Sequence, residues 1–306
     1  MRGDAVPSAA GSARSFAFAH PGAVLAAVLL ACIVLASAFA PLIAPYDPFD
    51  LSRLDVLDAE LPPWWRDGSD PRFLLGTDAQ GRDLLSAILY GSRISLTVGV
   101  LAVMIQAAIG VSLGLLAGYR GGAIDSLVSR AADIQLSLST LMMAIIALAL
   151  FRAGLGGDAL SRYAVPLLVA VIGLAEWPYF ARTARAATQV EAAKDHVRAA
   201  RALGLTGFRI VRRHVLPNIL SPLIVVATTQ VAGAIMNEAA LSFLGLGMPV
   251  TKPSLGTLIR SGYDLIFAGA WWVTVIPGLV LVALLVSVNV LGDALRDALD
   301  PRIRRR

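Results

Sequence analysis

Six long segments of this chain carry almost no charged side chains, and they constrain its fold more than any other feature. They are residues 15–46, 94–119, 134–151, 163–181, 215–237 and 265–292, and only the fourth holds a charged residue, Glu176. Each reaches or exceeds about 18 residues, the length that suggests a helix crossing a bilayer. We therefore predict an all-α polytopic membrane protein with six transmembrane helices.

Composition agrees with this prediction, since the chain is 57% hydrophobic and only 15% charged, whereas soluble domains are about 25% charged. The first window is too long for a signal peptide and leads into Pro41 and Pro45. We therefore expect a retained helix from about Ala23 to Ala44. The single cysteine, Cys32, lies within it, so an intrachain disulfide is impossible.

The positions of the basic residues predict the topology. With six spans both termini share one side, and the connections on that side hold 17 of the 26 Lys and Arg residues. The positive-inside rule places that side in the cytoplasm. Because the positive charges flank membrane segments, we predict contact with the lipid bilayer and no nucleic-acid partner.

The predicted organisation is a disordered cytoplasmic tail at 1–20, a first transmembrane helix at 21–45, an external segment at 46–92, a five-helix core at 93–295 containing a cationic loop near 190–217, and a cytoplasmic tail at 296–306.

The external segment ends in a motif typical of a helix start. Thr77 or Asp78 is the predicted N-cap, and Gln80 completes a Thr-x-x-Gln capping box. The helix is expected to run from there into the second span. The motif as a whole comprises Gly76, Thr77, Asp78, Gly81, Arg82 and Asp83.

Three glycines in the second span, Gly110, Gly114 and Gly118, repeat every four residues and predict close approach of a neighbouring helix. The string GVSLG within this span matches a hydrolase nucleophile motif, but that motif requires a strand before it. In the third span, Arg130 and Asp133 are spaced to pair on one helix face.

No catalytic or metal site is predicted. The only lysines, Lys194 and Lys252, lie outside any Gly-Lys-Ser/Thr phosphate loop, so this chain is not expected to bind ATP in that way. The three histidines are His20, His196 and His214, and none has metal-ligand spacing. Two carboxylates at membrane depth, Glu176 and Glu238, are functional candidates by default. Asn237, Glu238 and Ser242 are candidates for lining a translocation pathway, although a packed, hydrogen-bonded or neutral carboxyl is the favoured interpretation of Glu238.

The cationic loop has a helical pattern. A helix from about Ala192 is expected to end at Gly204 in a left-handed conformation. A second short helix has Thr206 as its N-cap and places Phe208, Val211 and Val215 on one face. Pro217 is expected at the start of the fifth transmembrane helix. Physical reasoning alone also allows an amphipathic hairpin that only touches lipid headgroups.

The loop's spacing resembles a known family. Ala199-Ala200, Gly204, His214 and Leu216-Pro217 follow AA-x3-G-x9-H-x-LP, which is similar to the EAA loop of ABC-importer permeases, specifically the C-type permease of the dipeptide/oligopeptide/nickel branch. Arg198 stands where that family usually has Glu. Three further stretches resemble the same branch: LLGTDAQGRDLLSAILYGSRISL, NEAALSFLGLGMPVTKPSLGTLI and NVLGDALRDALDPRI.

The resemblance implies a type I ABC importer permease in the bacterial inner membrane. It implies pairing with a homologous second permease, two cytoplasmic ATPases that bind ATP and Mg²⁺, and an extracytoplasmic solute-binding protein. The coupling loop would be Arg198, Ala199, Ala200, Gly204, His214, Leu216 and Pro217, and this chain would hold no cofactor. Peptides are the expected substrate, with nickel chelates, glutathione and other small solutes as alternatives.

Two competitors from other classes remain. An ATP-independent secondary transporter predicts inverted repeats and helices interrupted around ionisable groups, and neither is evident in the sequence. A membrane-embedded enzyme requires a nucleophile, a metal cluster or an acid/base pair, for which we find no candidate.

Overall fold

A computed structural model of the chain describes residues 21–50, 55–154 and 157–299. The tail at 1–20 and the last residues of the C-terminal tail, 300–306, therefore lie outside the described residues. Within the described ranges the regular structure is helical. The helices are α1 (Pro21–Ala38), α2 (Ala40–Ile43), α3 (Leu84–Arg120), α4 (Gly122–Ser137), α5 (Thr140–Gly154), α6 (Gly157–Ala175), α7 (Trp177–Ala192), α8 (Asp195–Ala202), α9 (Gly207–Ile210), α10 (Leu216–Phe243), α11 (Leu255–Tyr263) and α12 (Trp272–Leu299).

The spans predicted from the sequence coincide with these helices. Four stretches are long and apolar enough to cross a membrane alone: α1, α3, the run from α9 through α10, and α12. Two bent pairs raise the total to as many as six, namely α4 with α5 at 85° and α6 with α7 at 42°. The prediction of a helical membrane protein is confirmed for the described residues, and the number of spans reaches the predicted six when each bent pair is counted as one span.

The long helix α3 is central, and α7 packs along it through the glycine stripe. A Cβ atom added to Gly110 would meet the carbonyl oxygen of Trp177. On Gly114 it would lie 2.5 Å from the carbonyl oxygen of Ala181. On Gly118 it would lie 2.7 Å from the carbonyl oxygen of Arg185. The predicted close approach is confirmed. Lipid is as apolar as a leucine side chain, so such backbone proximity and the packing it permits stabilise helix pairs in a bilayer.

Two clusters of buried apolar residues flank α3. One joins α3 to the helices from α5 to α10 and includes Leu168, Ile172 and Phe180. The other joins α3 to α10, α11 and α12 and includes Leu258 and Leu284. The remaining surface carries large exposed apolar side chains, as expected of helices in a hydrocarbon solvent.

The predicted pairing of Arg130 with Asp133 is not what the structure shows. Asp133 instead accepts a hydrogen bond from Arg182 at 2.5 Å, and Arg185 makes a bidentate pair with Asp125. Both pairs join α4 to α7. The Arg182 pair is largely exposed, so its contribution to stability is small.

Candidate functional site

The first half of the cationic loop is a short helix that ends as predicted. In α8, Val197 and Ala200 are buried. Gly204 follows with a φ of +78°, in the left-handed region. The amide of Leu205 then donates to the carbonyl of Ala200 at 3.2 Å, which closes the helix end. The predicted helix stop at Gly204 is confirmed.

In the second half, Pro217 lies in the first turn of α10, as predicted, but this helix continues an earlier helical run. The chain is continuously helical from Gly207 into α10 through a π-helical segment, Val211–Val215. The amide of Leu216 donates to Val211 across this wider turn, and Asn218 Nδ2 supplies a donor to the carbonyl of His214 at 2.7 Å. These bonds accommodate a proline that lacks an amide donor, so the helix does not stop.

The apolar face predicted for this half is only partly correct. Val215 and Ile210 are fully buried, but 77% of Phe208 is exposed. Leu203, at the end of α8, is 81% exposed. Thr206 has the extended backbone of an N-cap, but its side chain makes no capping hydrogen bond. Two large apolar side chains therefore project from a surface that also carries exposed arginines.

Among the described residues, Arg198 makes only one long ion pair. Its guanidinium lies 4.0 Å from Asp195, and both side chains are mostly exposed. Ala199 beside it is exposed and Ala200 is buried. Arg201, one turn further along, lies over the ring of Tyr119 at 5.3 Å. The guanidinium of Arg198 is thus available to another molecule.

A buried carboxylate that the sequence did not single out, Glu191, anchors the loop. Its oxygens contact Lys194 Nζ at 2.5 Å, His196 Nε2 at 3.2 Å and Asn218 Nδ2 at 3.0 Å. Glu191 lies in the last turn of α7, and Asn218 lies in the first turn of α10. Lys194 and His196 flank the first residue of α8. The carboxylate ties together both ends of the loop, and the ring of His214 lies 6.3 Å from that of His196.

The helix-start motif of the external segment contains a different cap from the one predicted. The N-cap of α3 is Asp83, whose Oδ2 accepts from the amide of Ser86 at 2.8 Å. Thr77 Oγ1 is occupied by the backbone of Asp58 and Leu61. Asp78 Oδ1 accepts from the amides of Gln80 and Arg82 in a tight turn, so the predicted capping box is wrong.

This turn requires glycine at two positions. Gly76 and Gly81 have φ values of +80° and +76°, and a side chain on either would meet the backbone carbonyl of Leu61 or Asp55. The guanidinium of the buried Arg82 donates to the carbonyl of Val250 at 2.7 Å. The motif therefore links the external segment to the loop after α10. Burial raises the pKa of the Asp78 carboxyl above its ordinary value.

Two of the candidate pathway residues lie in the interior of the chain. Glu238 accepts from the hydroxyls of Ser95 and Ser242, each at 2.7 Å, and both Glu238 and Ser242 are fully buried. The bond between Ser95 and Glu238 joins α3 to α10. Asn237 is different, because it is partly exposed and donates to Glu176.

Glu176 lies at the junction of α6 and α7, and its partners come from α3 and α10. Asn237 Nδ2 is 2.9 Å from Oε1, and Gln230 Nε2 is 3.2 Å from Oε2. Gln106 Nε2 is 3.5 Å from Oε2, and Gln106 Oε1 accepts from Gln230 at 3.2 Å.

The two bent spans meet at this cluster. Gln135, near the end of α4, donates to the carbonyl of Ala175 at 3.1 Å, where α6 ends. Helices interrupted around an ionisable group were not evident from the sequence, and the structure contains them. The bend at Glu176 falls just before Pro178 in the first turn of α7, and proline disfavours helical continuity there.

The chain is similar to known families and to solved structures. The family model described as binding-protein-dependent transport system inner membrane component matches residues 110–305. The model described as the N-terminal TM domain of oligopeptide transport permease C matches residues 13–63. Two inward-facing structures of the MetNI methionine ABC transporter resemble the fold with TM-scores of 0.55 and 0.54. The first is 21% identical and covers 70% of this chain and 96% of that chain.

Relatives similar in sequence include permeases of dipeptide transport systems. The dipeptide transport system permease protein DppC of Haemophilus influenzae is 38% identical, covering 93% of this chain and 92% of that protein. The di/tripeptide transport system permease protein DppC of Pseudomonas aeruginosa is 40% identical, covering 94% and 90%. The Escherichia coli DppC is 41% identical, covering 94% and 91%. This multi-pass inner-membrane chain therefore belongs to the binding-protein-dependent ABC importer permeases of the dipeptide/oligopeptide/nickel family.

Proposed function

We propose that this chain is the transmembrane permease subunit of an ATP-driven importer of di- and oligopeptides. It would form the translocation pathway with a homologous second permease and receive substrate from an extracytoplasmic binding protein. Two separate ATPase subunits would bind ATP and Mg²⁺ and hydrolyse the nucleotide, so this chain would not act as an enzyme. Both termini and the loop at 190–217 would be cytoplasmic.

The observation that carries the proposal is the form of the loop between α7 and α10. The buried Glu191 contacts both ends of this loop, and the side chains of Leu203, Phe208 and Arg198 are exposed on its surface. Exposed apolar side chains surrounded by cations suit a protein groove that is apolar at its centre and acidic at its rim. An ATPase surface of that kind is the partner we propose for it.

The proposed substrate rests on the relatives, whose printed names specify dipeptides or di/tripeptides. Nickel chelates, glutathione and other small solutes are the alternatives within the same machinery. Uptake of labelled dipeptide into proteoliposomes containing the complete importer, with unlabelled dipeptide, glutathione or chelated nickel as competitors, distinguishes them. Competition by dipeptide alone supports the proposal, and competition by nickel or glutathione alone overturns the substrate assignment.

Cross-linking tests the coupling role. In a Cys32→Ala background, cysteines at Leu203 and Phe208 should cross-link to the ATPase, and a matched cysteine at Trp65 in the external segment should not. A membrane-impermeant thiol reagent should reach the Trp65 position from outside only and the Phe208 position from the cytoplasm only. Cross-links of Phe208 to lipid alone, or labelling of that position from outside, would overturn the proposal.

A further inference from the structure

The carboxylate of Glu176 is surrounded by neutral donors only. Its hydrogen-bond partners are the side-chain amides of Gln106, Gln230 and Asn237. Among the ion pairs of the described residues, none includes Glu176. A charged group at membrane depth normally has a counter-charge or faces a water-filled path. The site therefore lacks the positive charge that would complete it.

Glu176 is buried close to the surface of the chain, and two of its donors reach that surface. Glu176 itself is 8% exposed, and two of its donors, Gln230 and Asn237, are partly exposed on α10. Glu238 provides a contrast, because it is fully buried and its serine partner Ser242 is fully buried as well. A solute at the surface of α10 could reach Glu176 by displacing one amide, but it could not reach Glu238.

The backbone around Glu176 is also of the kind that lines a path through a membrane protein. The bend between α4 and α5 and the bend between α6 and α7 adjoin this cluster. Irregular backbone at membrane depth is tolerated only where protein or a water-filled cavity satisfies it. In transporters such interruptions surround the sites that bind substrate or ions.

We propose that Glu176 is the residue of the translocation pathway that pairs with the ammonium group of the passing peptide. This inference rests on the proposed function as a peptide permease. In the empty pathway the amides of Gln230 and Asn237 satisfy the carboxylate. When the peptide enters, its ammonium group replaces one of them, because its full positive charge attracts the carboxylate more strongly than the dipole of a neutral amide does. The displaced amide is then free to bond a peptide carbonyl.

The test compares two ligands that differ only in the amino group, alanyl-alanine and propionyl-alanine. Each is supplied to the reconstituted importer at a concentration that saturates the binding protein, so that affinity for that protein does not limit uptake. Glu176→Gln keeps the shape and most hydrogen bonds but removes the charge. We expect it to lower uptake of alanyl-alanine about tenfold and to leave propionyl-alanine uptake unchanged. The control, Glu238→Gln, should change uptake of both ligands by the same factor.

A second measurement does not require the binding protein to accept propionyl-alanine. A photoreactive residue in place of Met236, which is 55% exposed beside Asn237, should capture radiolabelled alanyl-alanine during turnover, and Glu176→Gln should reduce that capture. Equal losses of uptake for both ligands would show a purely structural role and overturn the inference, as would unchanged capture. Failure of the wild-type importer to take up any dipeptide would instead contradict the proposed function.

Discussion

Gly114 lies so close to Ala181 that a Cβ atom on the glycine would be 2.5 Å from the alanine carbonyl oxygen. The same added atom would lie 2.7 Å from the Cβ of Ala184. The obstacles are backbone and a methyl group, which cannot rotate away. This contact fixes α7 along α3, and α7 carries Glu176 at its membrane end and Glu191 at its loop end.

Gly114→Ala should therefore destabilise the permease by about 1–3 kcal/mol, the usual cost of overpacking. The matched control is Gly278→Ala in α12, where an added Cβ has no neighbour within 4 Å. Thermal unfolding of the detergent-solubilised importer should show a lower Tm for the first variant only. Equal Tm values for both variants would show that the contact between α3 and α7 relaxes without cost.

Gly204→Leu should uncouple ATP hydrolysis from uptake while membrane insertion stays intact. An added Cβ at Gly204 meets nothing within 4 Å, so the cost comes from its φ of +78°. Left-handed backbone costs a residue with a Cβ about 1–2 kcal/mol. Gly204→Asn is the control, because asparagine adopts this conformation more readily. Normal uptake and normal ATPase stimulation in the leucine variant would show that the loop geometry is dispensable.

Glu191→Ala should loosen the loop at both ends, because it leaves Lys194, His196 and Asn218 without their common acceptor. The partly exposed Lys194 pair contributes little, about 0.2–1 kcal/mol. The bond to Asn218 adds about 1 kcal/mol. Limited proteolysis of the importer should cleave residues 194–216 faster in this variant. Glu191→Gln keeps an acceptor for Asn218 and should fall between the alanine variant and wild type, and identical cleavage rates in all three would refute the anchoring role.

The external segment should become more stable as the pH falls. Burial raises the folded-state pKa of Asp78 above its unfolded value of roughly 3.9, although the facing Arg82 opposes this. The ionised carboxylate therefore destabilises the fold at neutral pH, and that penalty shrinks as the pH falls from the raised folded pKa towards the unfolded pKa. Asp83, also buried, acts in the same direction.

Asp78→Asn should reduce this pH dependence without abolishing it, since Asp83 remains and the asparagine oxygen still accepts from Gln80 and Arg82. Protease resistance of residues 55–83 in the assembled importer, measured between about pH 5 and pH 8, gives the slope for each protein. A wild-type segment that loses resistance on acidification would contradict the prediction.

Much of the conformation of the loop between α7 and α10 could be predicted from its residues, because local backbone preferences determine it. Gly204 adopts the left-handed conformation that its position after α8 predicts. Pro217 lies in the first turn of α10 as predicted, but the π-helical turn before it and the bond from Asn218 to His214 were not predicted. The N-cap was misassigned to Thr77 or Asp78 because their side chains bond distant or turn backbone instead.

The sequence by itself determined the class of protein, the number of spans and the glycine-lined contact, since hydrophobic length and residue period are local properties of the chain. Only the tertiary structure decided which carboxylates share partners. Glu191 meets Asn218 across 27 positions, and Glu176 meets Asn237 across 61. Such hydrogen bonds depend on how bent helices pack in three dimensions, and no spacing along the chain encodes that arrangement.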